Sequence, residues 1–120
     1  MRRFVSSPRD SATVVHWTWS AARDLRRSLR SDGIQALGSV TPAPTVSRDH
    51  RPTVSVVLRA AGASCLVRSA VLQRWDADHG RPRELVIGVA REDEDVTAHA
   101  WLAGERHSGA YVELHRRAAP

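Results

Sequence analysis

Apolar residues recur at helical spacing in the first half of the chain and alternate at strand spacing in the second. Ala22, Leu25 and Leu29 share one face of a stretch that predicts a helix over Val14–Arg30. Arg23, Arg26, Arg27 and Arg30 fall at i, i+3, i+4 and i+7 on another face, which reads either as solvated surface or as a docking face for an acidic partner. Trp17 and Trp19 read as core or interface packing, and the residues up to about position 12 are polar and expected to be loose. Gly33, after Ser31-Asp32, is the natural C-terminal stop. Gly38–Pro52 holds Pro42, Pro44 and Pro52 and reads as a connector rather than a domain boundary, because the residues before it are too few to bury a core alone. Thr53–Ala61 has the β-branched content of a strand, but Val54, Val57, Leu58 and Ala61 fit a short helix, the reading preferred here. A further helix is predicted over Cys65–Asp78 with Ser64 as N-cap, Leu66, Ala70, Gln73 and Trp75 inward, and Arg68 and Arg74 elsewhere. Gly80 and Pro82 end it, and Asp76, Asp78 and His79 read as solvated.

Glu84–Ala90 is almost continuously apolar, as an inner strand would be. A charged turn, Arg91–Asp95, leads to a predicted strand Thr97–Ala103, a turn Gly104–Ser108 and a third strand Gly109–His115. Alternation puts His99 and Trp101 on one face of the second strand, and Tyr111, Glu113 and His115 together on one face of the third. If these two strands form a hairpin centred on Arg106, His99 faces Glu113 directly, within hydrogen-bonding reach. A one-residue slip would turn Glu113 to the other face. The expected fold class is α+β: N-terminal helices, then a cysteine-bearing helix packed on a small antiparallel sheet.

With 120 residues, 42% hydrophobic and 26% charged, the chain has the makings of one globular domain with a modest core. No run is long enough to span a bilayer, and Arg2-Arg3 are not followed by the apolar core of a signal peptide. A single cysteine allows no internal disulfide, so a cytoplasmic location is expected. The net charge of +5 favours acidic partners in general, but there is no basic stripe interleaved with aromatics and no zinc-finger spacing, so nucleic acid is not expected as a partner.

Cys65 is that cysteine, and its place in the first turn of a helix is the strongest chemical signal in the chain. Unpaired amides and the positive end of the dipole favour a thiolate there. The bland alternative is inert packing. Cys65, His99 and Glu113 together satisfy the logic of a catalytic triad: nucleophile, base, and a carboxylate that orients the base. Transglutaminase-like and papain-like cysteine enzymes use such an arrangement, with the nucleophile on a helix and its partners on neighbouring strands. Trp101 would pack over the His99 ring or line the cleft, and Arg68 would be structural or bind an acidic partner. A zinc site from His99, Glu113 and His115, with His107 nearby, would need a bulge in the strand, so no metal and no cofactor are expected. The domain division is then one unit over 1–120, with a helical and proline-rich part at 1–52 and a catalytic core at 53–120.

The runs Cys65-Leu66-Val67-Arg68-Ser69, Glu84-Leu85-Val86-Ile87-Gly88-Val89-Ala90 and Ala98-His99-Ala100-Trp101, in that order and spacing, resemble the leader peptidases of lasso-peptide biosynthesis, which belong to the transglutaminase-like cysteine protease superfamily. The resemblance covers roughly residues 62–115. It implies that Cys65 is the nucleophile and His99 the base of an endopeptidase that cuts the leader from a ribosomally made precursor, before a separate ATP-dependent cyclase closes the macrolactam ring. The family usually carries an aspartate shortly after the histidine strand, and none follows Asp95 here. Either Glu113 takes that place, with Glu105 a poorer candidate, or a dyad operates. The residues before Cys65 look too few and too proline-broken for a leader-recognition domain, so a separate recognition protein acting in trans is expected. The competing expectation is a non-catalytic basic adaptor that binds an acidic protein or nucleic acid.

Overall fold

The computed structural model describes residues 8–105 and 111–120, with Glu92 described by its backbone alone. Helix α1 runs Pro8–Asp32, so residues 8–12, expected to be loose, form its first turn. Val14, Trp17, Ala21, Ala22 and Leu25 make its buried stripe, and Gly33 ends it at φ 62°. Trp17 is buried while Trp19 stands 52% exposed. Arg26 departs from the solvated reading: its guanidinium donates to Ala61 O at 2.6 Å.

The proline-rich stretch is tied down rather than free. The Trp17 indole donates to Thr41 O at 3.2 Å, and Ala43 N–H donates to the Asp78 carboxylate at 2.7 Å. Helix α2 (Arg51–Ala60) follows, with Pro52 in its first turn, where a missing N–H costs nothing. It buries Val54 and Leu58, the helical reading of this stretch. Its end is a Schellman turn: Gly62 at φ 66° lets Ala63 N–H reach Leu58 O at 3.0 Å, and the chain re-enters a helix immediately. Helix α3 (Cys65–Asp78) buries Val67, Ala70, Val71, Leu72 and Trp75 in a core shared with α1, α2, Leu85 and Leu102.

The sheet has three antiparallel strands, β1 (Leu85–Glu92), β2 (Asp95–Leu102) and β3 (Val112–Arg117), in the order β2-β1-β3. A tight turn at Asp93–Glu94, with Asp93 at φ 55°, joins β1 to β2, so both strands run further into the charged segment than expected. The expected β2–β3 hairpin does not form: β3 pairs with β1. Its proposed centre at Arg106, together with His107 and the strand start at 109–110, lies outside the described residues.

The physical reason lies at the outer edge of β2. Ala103 N–H donates to Glu84 O at 2.8 Å, and antiparallel alternation from that pair turns the polar groups of Ala100 and Leu102 away from β1. Both are already occupied. Ser69 Oγ donates to Ala100 O at 3.2 Å, and Leu102 N–H donates to the Glu105 carboxylate at 2.7 Å. With that edge capped, the third strand adds to β1 instead, held by the buried Gln73 amide, which donates to Arg83 O at 2.9 Å and Arg117 O at 3.0 Å.

Candidate functional site

Cys65 is the first residue of α3, delivered there by the Gly62 turn. Ser64 adopts extended backbone at φ −64°, ψ 163°, and its hydroxyl accepts from Val67 N–H at 3.3 Å. The first intrahelical bond, Arg68 N–H to Ser64 O, is 2.9 Å. The amides of Cys65 and Leu66 precede it and point out of the helix start, where an oxyanion can be met. The thiol is half-buried and unbridged. Arg26, whose role no periodicity could reveal, caps the carbonyl end of α2 just ahead of this turn.

Two polar side chains anchor α3 to the sheet. Ser69 meets Ala100, and Gln73, one turn further on, meets Arg83 and Arg117 at the Leu85–Leu102 end of the sheet. From Ser69 to Gln73 the anchors of α3 therefore pass from the outer edge of β2 to the start of β1 and the end of β3. Cys65 lies one turn before Ser69, at the β2 end of that crossing.

His99 lies on the other face of the sheet. Ala100 and Leu102 turn toward the helices, whereas His99 and Trp101 lie on the opposite face. There the imidazole stacks with Trp101 (ring centroids 6.0 Å, 22° between planes) and Tyr111 (5.3 Å, 29°). Gly88, paired with His99, makes room for this cluster: a Cβ there would lie 2.8 Å from Trp101 Cη2 and 3.0 Å from Val112 O. Cys65 thus stands on the helix side of the sheet and His99 on its opposite face, with no hydrogen bond joining the thiol to the imidazole.

Glu113 does not reach His99. Both are register partners of Gly88, from opposite sides, so they share a face but stand two strand spacings apart, about 10 Å. A bulge between Ile87 and Gly88 leaves Leu114 extra in β3 and sets this register. The Glu113 carboxylate instead accepts from Arg116 at 2.6 and 3.1 Å, and that bond holds its pKa below the ordinary carboxylate value. Glu105 is engaged by Leu102 N–H. No acid therefore orients His99 among the described residues; aromatic rings do. Tyr111, not singled out from the sequence, was legible there as a same-face neighbour in the third strand. No group of three His, Cys, Asp or Glu side chains among the described residues could hold a metal ion, and none of the helices described is long and apolar enough to cross a membrane.

The far end of α3 also differs from its solvated reading. The Asp76 side chain, 4% exposed, accepts from Arg51 Nε at 2.8 Å and Nη2 at 3.1 Å. This bond raises the Arg51 pKa further. Asp78 pairs with Arg74, and His79 stacks on Trp75 at 4.0 Å with its two ring nitrogens at Trp75 O and Val46 O. The connector folds back over Asp76 and His79, while Asp78 remains exposed as expected.

No curated protein and no solved structure matches this chain. A family model described as the transglutaminase-like superfamily matches residues 11–117, from the first turn of α1 to the end of β3. Members of that superfamily are typically cysteine peptidases or transglutaminases. A cysteine-led helix set against the edge of a small antiparallel sheet is the corresponding core, and the chain belongs to the transglutaminase-like superfamily.

Proposed function

We propose that this protein is a cysteine endopeptidase that removes the leader from a ribosomally synthesised lasso-peptide precursor, working with a separate leader-recognition protein and ahead of an ATP-dependent cyclase. The observation that supports it most is Cys65 as the first residue of a capped helix in a chain that matches the transglutaminase-like superfamily over residues 11–117. The resemblance of the Cys65, Glu84–Ala90 and Ala98–Trp101 runs to lasso leader peptidases supplies the substrate class. In this reading the Cys65 thiolate attacks the scissile carbonyl carbon while the helix-start amides hold the oxyanion. The C–N bond breaks as His99 gives its proton to the departing amine. Water, deprotonated by the same imidazole, then hydrolyses the thioester. The arrangement favours a dyad, with Trp101 and Tyr111 fixing the imidazole plane and Glu113 engaged elsewhere.

The test is mass-spectrometric detection of leader cleavage by the chain together with its recognition protein. Cys65→Ala is expected to abolish turnover and His99→Ala to lower it by about 10²–10⁴-fold. Glu113→Gln is expected to leave it within a few-fold. Iodoacetamide labelling of Cys65 below the free-thiol pKa of about 8.5, lost in His99→Ala, reports the ion pair directly. Unchanged cleavage in Cys65→Ala would overturn the reading, and salt-sensitive binding without turnover would favour an adaptor.

A further inference from the structure

A recess of about 600 Å³ lies at the opposite end of α3 from Cys65, where the connector crosses Trp75 and Asp76. Arg48, Arg51 and Arg81 line it, against the carboxylates of Asp49 and Asp76. Asp76 is spent: the Arg51 fork covers it on one side, and Arg83 Nε approaches to 4.0 Å. Arg48 and Arg81 are exposed and make no ion pair with the described residues. Arg51, held in place by the buried Asp76, keeps the guanidinium donors it does not use there. His79 turns both ring nitrogens to backbone carbonyls and so offers the recess no acceptor. The Trp75 indole N–H is buried and has no acceptor among the described residues. The recess is therefore rich in cationic donors, with Asp49 its one uncommitted carboxylate.

Its position relative to the cysteine limits what would occupy it. Asp76 follows Cys65 by three full turns, about 16 Å along the axis of α3, and Ser69, Leu72 and Gln73 between them are buried, so a peptide that reaches both ends passes around the helix. An extended peptide needs at least about five residues for that distance. A free phosphate would fill only a small part of the volume, whereas a peptide segment carrying a carboxylate suits both the volume and the span.

Resting on the peptidase reading, we infer that this recess binds an acidic side chain of the peptide substrate, at least about five residues from the scissile bond. The guanidinium forks of Arg48 and Arg81 take the carboxylate, and Arg51 provides a fixed third cation.

The experiment uses two dye-labelled hexapeptides, identical except for a central Glu or Gln, titrated by fluorescence anisotropy against the full chain and against Arg48→Ala/Arg81→Ala. Both substitutions are at exposed side chains, and circular dichroism checks the fold. The Glu peptide is expected to bind at least about tenfold tighter than the Gln peptide, with that preference lost in the double variant and in Arg81→Glu. Equal binding of the two peptides, or a preference that survives both variants, overturns the inference. Displacement by millimolar inorganic phosphate as effective as by unlabelled Glu peptide also overturns it, since that marks a site for small anions. No turnover is needed, so this result stands apart from the fate of the peptidase reading. With a cleavable substrate, the double variant raises KM and leaves kcat unchanged.

Discussion

Gly88→Ala tests whether the aromatic cluster around His99 is positioned by the sheet. The added methyl would sit 2.8 Å from Trp101 Cη2, 3.1 Å from Cζ3 and 3.0 Å from Val112 O. Carbon atoms prefer about 3.5–4.0 Å, so the indole must retreat by roughly 0.7 Å or more. It has little room to do so, because its neighbours His99 and Tyr111 lie at centroid distances of 6.0 and 5.6 Å. The backbone oxygen of Val112 can yield only by shifting β3. Overpacking of this kind costs about 1–3 kcal/mol, and a loss near 2 kcal/mol lowers Tm by about 6–12 °C in a chain of this size. Urea unfolding followed by far-ultraviolet circular dichroism measures the loss, and near-ultraviolet dichroism follows the ring cluster. The causal claim is settled by repeating the substitution in Trp101→Phe, which removes the ring atoms that would clash. In that background Gly88→Ala should cost less by about 1 kcal/mol, leaving the Val112 term. An equal cost in both backgrounds, or none in either, would refute the account of Gly88.

Ser64→Ala removes the hydroxyl that accepts from Val67 N–H and should cost about 1 kcal/mol in chemical denaturation, whereas Ser64→Asp should retain most of the stability. Arg51→Ala leaves the Asp76 carboxylate, 4% exposed, with only the distant Arg83 and should cost about 2–3 kcal/mol; Arg51→Ala/Asp76→Ala should cost less than the sum of the single changes in the same assay. The Glu113 carboxyl, followed by NMR, should titrate below the ordinary glutamate value and move back up in Arg116→Ala. Because its folded pKa is the lower one, the pair's contribution is complete above the unfolded value and is lost as pH falls through the folded one; solvent exposure of both side chains keeps the effect on stability small.

The helices were legible because their signals are local. Ser64 before Cys65, Gly33 after α1 and the 3.6-residue spacing of Ala22, Leu25 and Leu29 need no knowledge of the rest of the chain. The α2 stretch was harder, since its β-branched residues favour a strand, and packing of Val54 and Leu58 decided it. The strands β1 and β2 and the face shared by His99 and Trp101 followed from period-two alternation.

What residue spacing could not supply was any relation between distant segments. Two strands in succession suggest a hairpin, and only the capping of the β2 edge by Ser69 and Glu105 sends β3 to the far side of β1. That one choice separates Glu113 from His99 and gives the imidazole aromatic neighbours instead of a carboxylate. In the same way, Asp76 and His79 look solvated beside a helix end and a glycine, until a connector from elsewhere in the chain covers them. The chain alone determines local hydrogen bonding and periodicity, because those involve neighbours within a turn or two. Which edge is free, which charge is buried and which side chains gather around His99 are set by contacts between remote segments, and only the assembled fold decides them.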